Sequence, residues 1–295
     1  MKAFLSVAAA LGALAAAGAA SAGDVEIRHA MARVIVIPEA RSDVAYEIRP
    51  GRADLPKISV SRGMDGRLQF DGGLGSWFGA NNCSRHGDSG GRNAVIDVSH
   101  PPADLYVSAN GHRDVPLAQT PLIILHTPRD VRVGAGEVVF GNIGKAGSVH
   151  LSAAGCGDWT VDNVAGRLEV DVAGSGDVHA ASARALSAHI AGSGDVTADE
   201  IGDLTVATAG SGDVFVRRAN GEVRAHIAGS GDVSVADGHA SVLAADIAGS
   251  GDVKFGGEAD RVDAHVMGSG DVRVKSVRGE VHKAVMGSGE VIVGR

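Results

Sequence analysis

The sequence predicts an all-β protein, a single-stranded parallel β-helix (solenoid) of about nine short coils with irregular β structure capping its N-terminal side. Three observations predict it. Gly-Ser-Gly followed by an acid recurs seven times, starting at Gly174, Gly192, Gly210, Gly229, Gly249, Gly268 and Gly287, so the repeats are 18 to 20 residues apart. The residues flanking each motif alternate apolar and polar with period two, the mark of strands with one buried face. The composition joins 43 glycines and 44% hydrophobic residues to only 3% aromatics, which suits thin layers filled by Val, Ala, Ile and Leu.

The elements follow in order. Residues 1–22 carry Lys2, an apolar stretch from Ala3 to Ala20 and a small-residue site at Ala20-Ser21-Ala22, which reads as a secretory signal removed before Gly23. No Cys follows that site, so no lipid anchor is expected, and no later stretch reads as a membrane span. Residues 23–133 hold strand-like runs such as Val34-Ile35-Val36-Ile37 and Leu122-Ile123-Ile124-Leu125 without a fixed period, and read as the irregular cap that a repeat stack needs. Residues 134–295 form the regular β-helix. Its first coils are weaker: Gly134-Ala135-Gly136-Glu137 places Arg132 in an inward column, and Gly155-Cys156-Gly157-Asp158 is followed by Trp159 where later coils carry Val.

Within the repeats the inward columns are explicit. Six residues before each first Gly stand Leu168, Leu186, Leu204, Val223, Leu243, Val262 and Val281, and four residues after it stands Val in all seven repeats, from Val178 to Val291. Each repeat thus supplies two strands joined by the Gly-Ser-Gly-acid turn and closed by a second, variable turn such as Arg217–Glu222, where the length differences fall. Equivalent strands are expected to pair in parallel about 4.8 Å apart, giving an axis of about 40 Å.

The exported strand region, the Thr127-Pro128-Arg129 step, Gly155-Cys156-Gly157-Asp158-Trp159 and the tandem Gly-Ser-Gly-Asp-Val coils together resemble the autotransporter-adhesin head domain family, also called the head GIN domain, from about Val25 to Val293. The resemblance implies a right-handed parallel β-helix in the periplasm or at the cell surface of a Gram-negative bacterium, with no catalytic residues and adhesion as the role. No translocator barrel is expected in this sequence, so self-export is not.

Stacking places Asp177, Asp195, Asp213, Asp232, Asp252, Asp271 and Glu290 in one acidic row. Neighbouring charges about 4.8 Å apart repel by just under about 1 kcal/mol in water before screening, so something must offset them. Turn N–H groups or Ser hydroxyls donating to the carboxylates are one answer. Ca²⁺ along the row is the other, and is the one cofactor considered. A calcium β-roll does not fit, because the second half of each repeat lacks its Gly-Gly-x-Gly-x-Asp pattern. The outward columns Asp171, His189, His226, Asp246, His265 and Glu169, Arg224, Asp263, His282 carry Zn²⁺ or Cu²⁺ ligand types, but flat ladders seldom converge four ligands, so no metal is assigned. Cys83 and Cys156 are expected either to bridge in an oxidising compartment, pinning the loop Gly72 to Gly91 onto the first coils, or to stand as two thiols.

Loss of Lys2 takes the formal charge from −8 to −9 with scattered basic residues, which argues against nucleic acid. No catalytic arrangement stands out; an enzyme acting on polysaccharide would be sought at Trp77 to His86. The function expected is that of a non-catalytic exported scaffold or adhesin-like module with an envelope or surface partner. The alternative is cation or polysaccharide binding by the acidic row. Self-association is expected through the last coil, Val281 to Val293.

Overall fold

The computed structural model describes residues 24–75, 83–86 and 96–294, so the signal reading for residues 1–22 and most of the Trp77–His86 segment lie outside it. It is a parallel β-solenoid of about nine turns, running from Asp130 to Val293. One 3-10 turn, Leu117–Gln119, is the sole helical element among the described residues. The columns read from the sequence stack as expected: Leu168 pairs with Leu186, Leu186 with Leu204, Leu204 with Val223, Val223 with Leu243, Leu243 with Val262 and Val262 with Val281. Val178 to Val291 form an equally unbroken column. Every inward residue of these columns above the last coil is buried, and together they make one continuous core.

Glycine is required at the turn for a steric reason. The first Gly of the Gly210 and Gly249 motifs has φ of 152° and 147°. A Cβ on the second Gly, for example Gly212, would strike the backbone oxygen of Gly194 in the previous coil and lie 2.9 Å from Cγ2 of Ile190. Backbones stacked this closely at a corner leave no room for a side chain.

Three sequence expectations are corrected. In the middle coils the second corner is not a loop. Val214–Gly229 and Val233–Gly249 run through it as single strands, with register shifts such as Ile201/Leu204 and Gly221/Glu222 taking up the one-residue length differences. The reason is that residues at this corner, including Ile201, Ala219, Ala240 and Ala259, are also buried, which keeps the backbone extended across the bend. Second, the frame of the first coil is three residues off. Glu137, not Gly134, pairs with Gly155, so Glu137-Val138-Val139-Phe140 occupies the turn. Third, that shift turns Arg132 outward beside His150, where its charge is solvated.

The region expected as a cap does more than cover the end. Asp24–Arg28 lies between Leu68–Asp71 and Asp130–Ile143, and Met31–Pro38 lies between Leu122–Thr127 and Asp130–Ile143, all in parallel. The segment 24–38 is therefore a rung inserted between one coil that comes later in the chain and the start of the regular stack. Thr127-Pro128-Arg129 is the step that carries the chain across it. Ala45–Arg49 and Ser59–Arg62 then close the far side as antiparallel strands.

An antiparallel sheet of Ser84–His86, Tyr106–Ala109 and His112–Pro116 packs on the outside of the first coils. Its apolar side, with Val107, Leu105 and Leu117, meets Met31, Val138, Phe140 and Cys156 in a second small core. That cover explains why the first coil has Val138 and Phe140 at positions that later coils give to Ser and Asp. At the other end, Val281 and Val285 of the last described coil are each 38% exposed.

Candidate functional site

The seven predicted acids do form one row, and Asp158 extends it upward. Each aspartate of the row accepts a hydrogen bond through Oδ1 from the backbone N–H of the next acid, and Glu290 ends the series as a donor. Asp177 N–H donates to Asp158 at 2.9 Å, Asp195 to Asp177 at 3.0 Å, and Asp213 to Asp195 at 2.8 Å. Asp232, Asp252, Asp271 and Glu290 continue the series, each at 2.8 Å. The donor belongs to the neighbouring coil rather than to the acid's own turn. This ladder is a structural answer to the repulsion, since a charged acceptor strengthens each bond.

Arginines meet the ends of the row. Arg273 donates to Asp252 at 3.0 Å and to Asp271 at 2.6 Å. At the top, Arg85 of the packed sheet reaches over to Asp158 and donates to Asp177 at 2.7 Å. Burial pushes the Asp158 carboxyl up to about 6, even with Arg85 beside it. Beside this clamp Cys83 and Cys156 form a disulfide, with Cα atoms 6.0 Å apart. Cys156 takes the Ser place of its coil, and Trp159 below it fills space left by Gly141, where a Cβ would strike the indole ring. Sequence reasoning missed Arg85, because nothing in its neighbourhood repeats.

On the outer face before each turn, a groove of about 700 Å³ runs along the stack. It is lined by alanines such as Ala191, Ala209 and Ala228, and by the column of Asp171, His189, His226, Asp246 and His265. Asp246 divides its two oxygens between His226 Nδ1 at 3.0 Å and His265 Nδ1 at 2.9 Å, the stacking that the sequence order indicates. Arg261 holds Asp263 at 2.5 Å, and Glu280 holds His282 at 3.2 Å, so these two do not join that cluster. Among the described residues, one group of three His, Cys, Asp or Glu side chains brings its ligand atoms within 4.8 Å of one another: His150, Glu169 and Asp171. His150 was outside the sequence reading, since it precedes the regular motifs.

No helix among the described residues is long and apolar enough to cross a membrane. No curated protein and no solved structure matches the chain significantly. The coils from the middle of the stack to its last turn, with their columns in register and their glycine corners, are the part that a family model matches: residues 200–294 are similar to the family described as "Putative auto-transporter adhesin, head GIN domain".

Proposed function

We propose that this protein is a non-catalytic exported envelope protein, a rigid rod whose outer ladders act as an adhesin-like interaction module. The observation that carries this reading is the uniform, continuous core beneath rows of outward side chains, which gives long repeating surfaces. Its acids are engaged mainly by its own backbone and arginines, which supports a structural part for the row. The family match supports an exported or surface setting. The exposed Val281 and Val285 offer a second copy of the chain a place to continue the stack.

The test is adherence. Beads coated with the full chain should bind envelope polysaccharide or whole cells more than bare beads do, and His226→Ala, Asp246→Ala and His265→Ala combined should reduce that binding without lowering the melting temperature. Coated beads that behave like bare ones would count against the module, as would a chain kept in the cytoplasm with residues 1–22 uncleaved.

Ca²⁺ binding along the row is the second reading. It is favoured by Asp213 and Asp232, which make no ion pair among the described residues and keep one carboxylate oxygen outside the ladder. A melting temperature higher in Ca²⁺ than in EDTA, with the gain lost in Asp213→Asn, supports it; equal values dismiss it.

A further inference from the structure

We propose that His150, Glu169 and Asp171 form a binding site for a divalent transition-metal ion of the zinc class. The site is built by register. His150 lies opposite Glu169 in the adjacent coil and diagonal to Asp171, two residues further along the same strand. Its Nδ1 is 3.3 Å from Glu169 Oε2 and its Nε2 is 3.0 Å from Asp171 Oδ2. All three side chains are half-buried, within reach of an ion from solvent.

The three side chains bring one ligand atom each within 4.8 Å of one another, so one ring nitrogen and an oxygen of each carboxylate can turn onto a shared ion. Charge points the same way. Arg132, the next residue up the His150 column, pairs with Asp24 at 3.9 Å, and the two carboxylates beside His150 supply negative charge that suits a dication.

The donor set of one nitrogen and two oxygens suits Zn²⁺ better than Ca²⁺ or Mg²⁺, which take oxygen ligands. His189 lies opposite Asp171 in the following coil, with its Nε2 3.1 Å from Ser187 Oγ, and is placed to turn in as a fourth ligand. The other histidine cluster lacks this convergence, because His226 and His265 stand two coils apart on either side of Asp246, about 10 Å at one strand spacing per coil.

The experiment is calorimetric titration of the EDTA-treated full chain with ZnCl₂ at neutral pH, alongside His150→Gln, Asp171→Asn and, as a control, His265→Gln. The expected result is one tightly bound equivalent. Its affinity should fall by at least about 10-fold in His150→Gln and Asp171→Asn and stay unchanged in His265→Gln. Absence of zinc binding, or equal affinity in His150→Gln and the parent, overturns the proposal. Asp171→Asn keeps the side-chain volume, so the test stands if His150→Gln misfolds. Adherence of coated beads is a separate readout, so failure here leaves the interaction module untouched.

Discussion

Asp213 offers a direct test of the acid ladder. Its Oδ1 accepts the Asp232 N–H at 2.8 Å, and its own N–H donates to Asp195 at 2.8 Å. Asp213→Ala strands the Asp232 N–H, a loss of about 1.5 kcal/mol at the low end for a bond to a charged acceptor, because the turn is half solvated. The same change removes repulsion with two neighbours. At one strand spacing that is just under about 1 kcal/mol each in water, and physiological salt roughly halves it, so the relief is about 1 kcal/mol. Asp213→Ala should therefore cost about 0.5 kcal/mol at physiological salt and about 1.5 kcal/mol near 1 M salt, where the repulsion is screened away. Asp213→Asn keeps the acceptor and sheds the charge, so it should stay within about 0.5 kcal/mol of the parent. The assay is urea unfolding followed by circular dichroism at both salt concentrations. If Asp213→Ala matches the parent in high salt, the ladder contributes nothing. If Asp213→Asn falls as far as Asp213→Ala in high salt, the charge itself is held, and a bound cation replaces the ladder as the explanation.

Other expectations follow from the same geometry. Gly212→Ala drives a Cβ into the Gly194 backbone and Ile190, and should destabilise by about 3 kcal/mol, whereas Ser211→Ala on the exposed side of that turn should stay within about 0.5 kcal/mol; thermal melts separate them. Asp158 holds its proton up to about 6 in the folded protein, while the unfolded carboxyl releases it near about 4. The unfolded chain therefore ionises first, and this group's contribution to stability falls as pH rises from about 4 to about 6, then levels. Melting temperatures across that range should show a component that Asp158→Asn abolishes, and an unchanged profile in the variant would refute the assignment. Cys83 and Cys156 are separated by 73 residues, so reducing their bond should cost about 4 kcal/mol on the loop-closure account. Cys83→Ser should reproduce the loss in non-reducing buffer, and a reductant should then add nothing.

The solenoid was legible in the sequence because its physics is local and repeated. A two-residue period states which side chains face inward, and an 18-to-20-residue spacing brings like onto like, so Leu168 meets Leu186 and Asp177 meets Asp195 with no further information. The acid row and the Asp246 pairing with His226 and His265 were predicted for that reason. The choice between bridged and free cysteines, and the partners of the row's first acids, were not. They depend on where the non-repeating segment 83–86 comes to rest, which places Arg85 on Asp158 and Asp177 and Cys83 on Cys156.

The sequence by itself determined the coil: its two-residue strand period, its glycine corners and the columns of its core. Tertiary structure alone decided the order of the first rungs, with residues 24–38 threaded between Leu122–Thr127 and Asp130–Ile143, and the reach of His150 beyond its column neighbour Glu169 to Asp171. The physical reason is that a repeat encodes contacts between equivalent positions of successive coils. A rung inserted out of order depends on the path of the whole chain, and a diagonal contact depends on how side chains turn, neither of which a local period records.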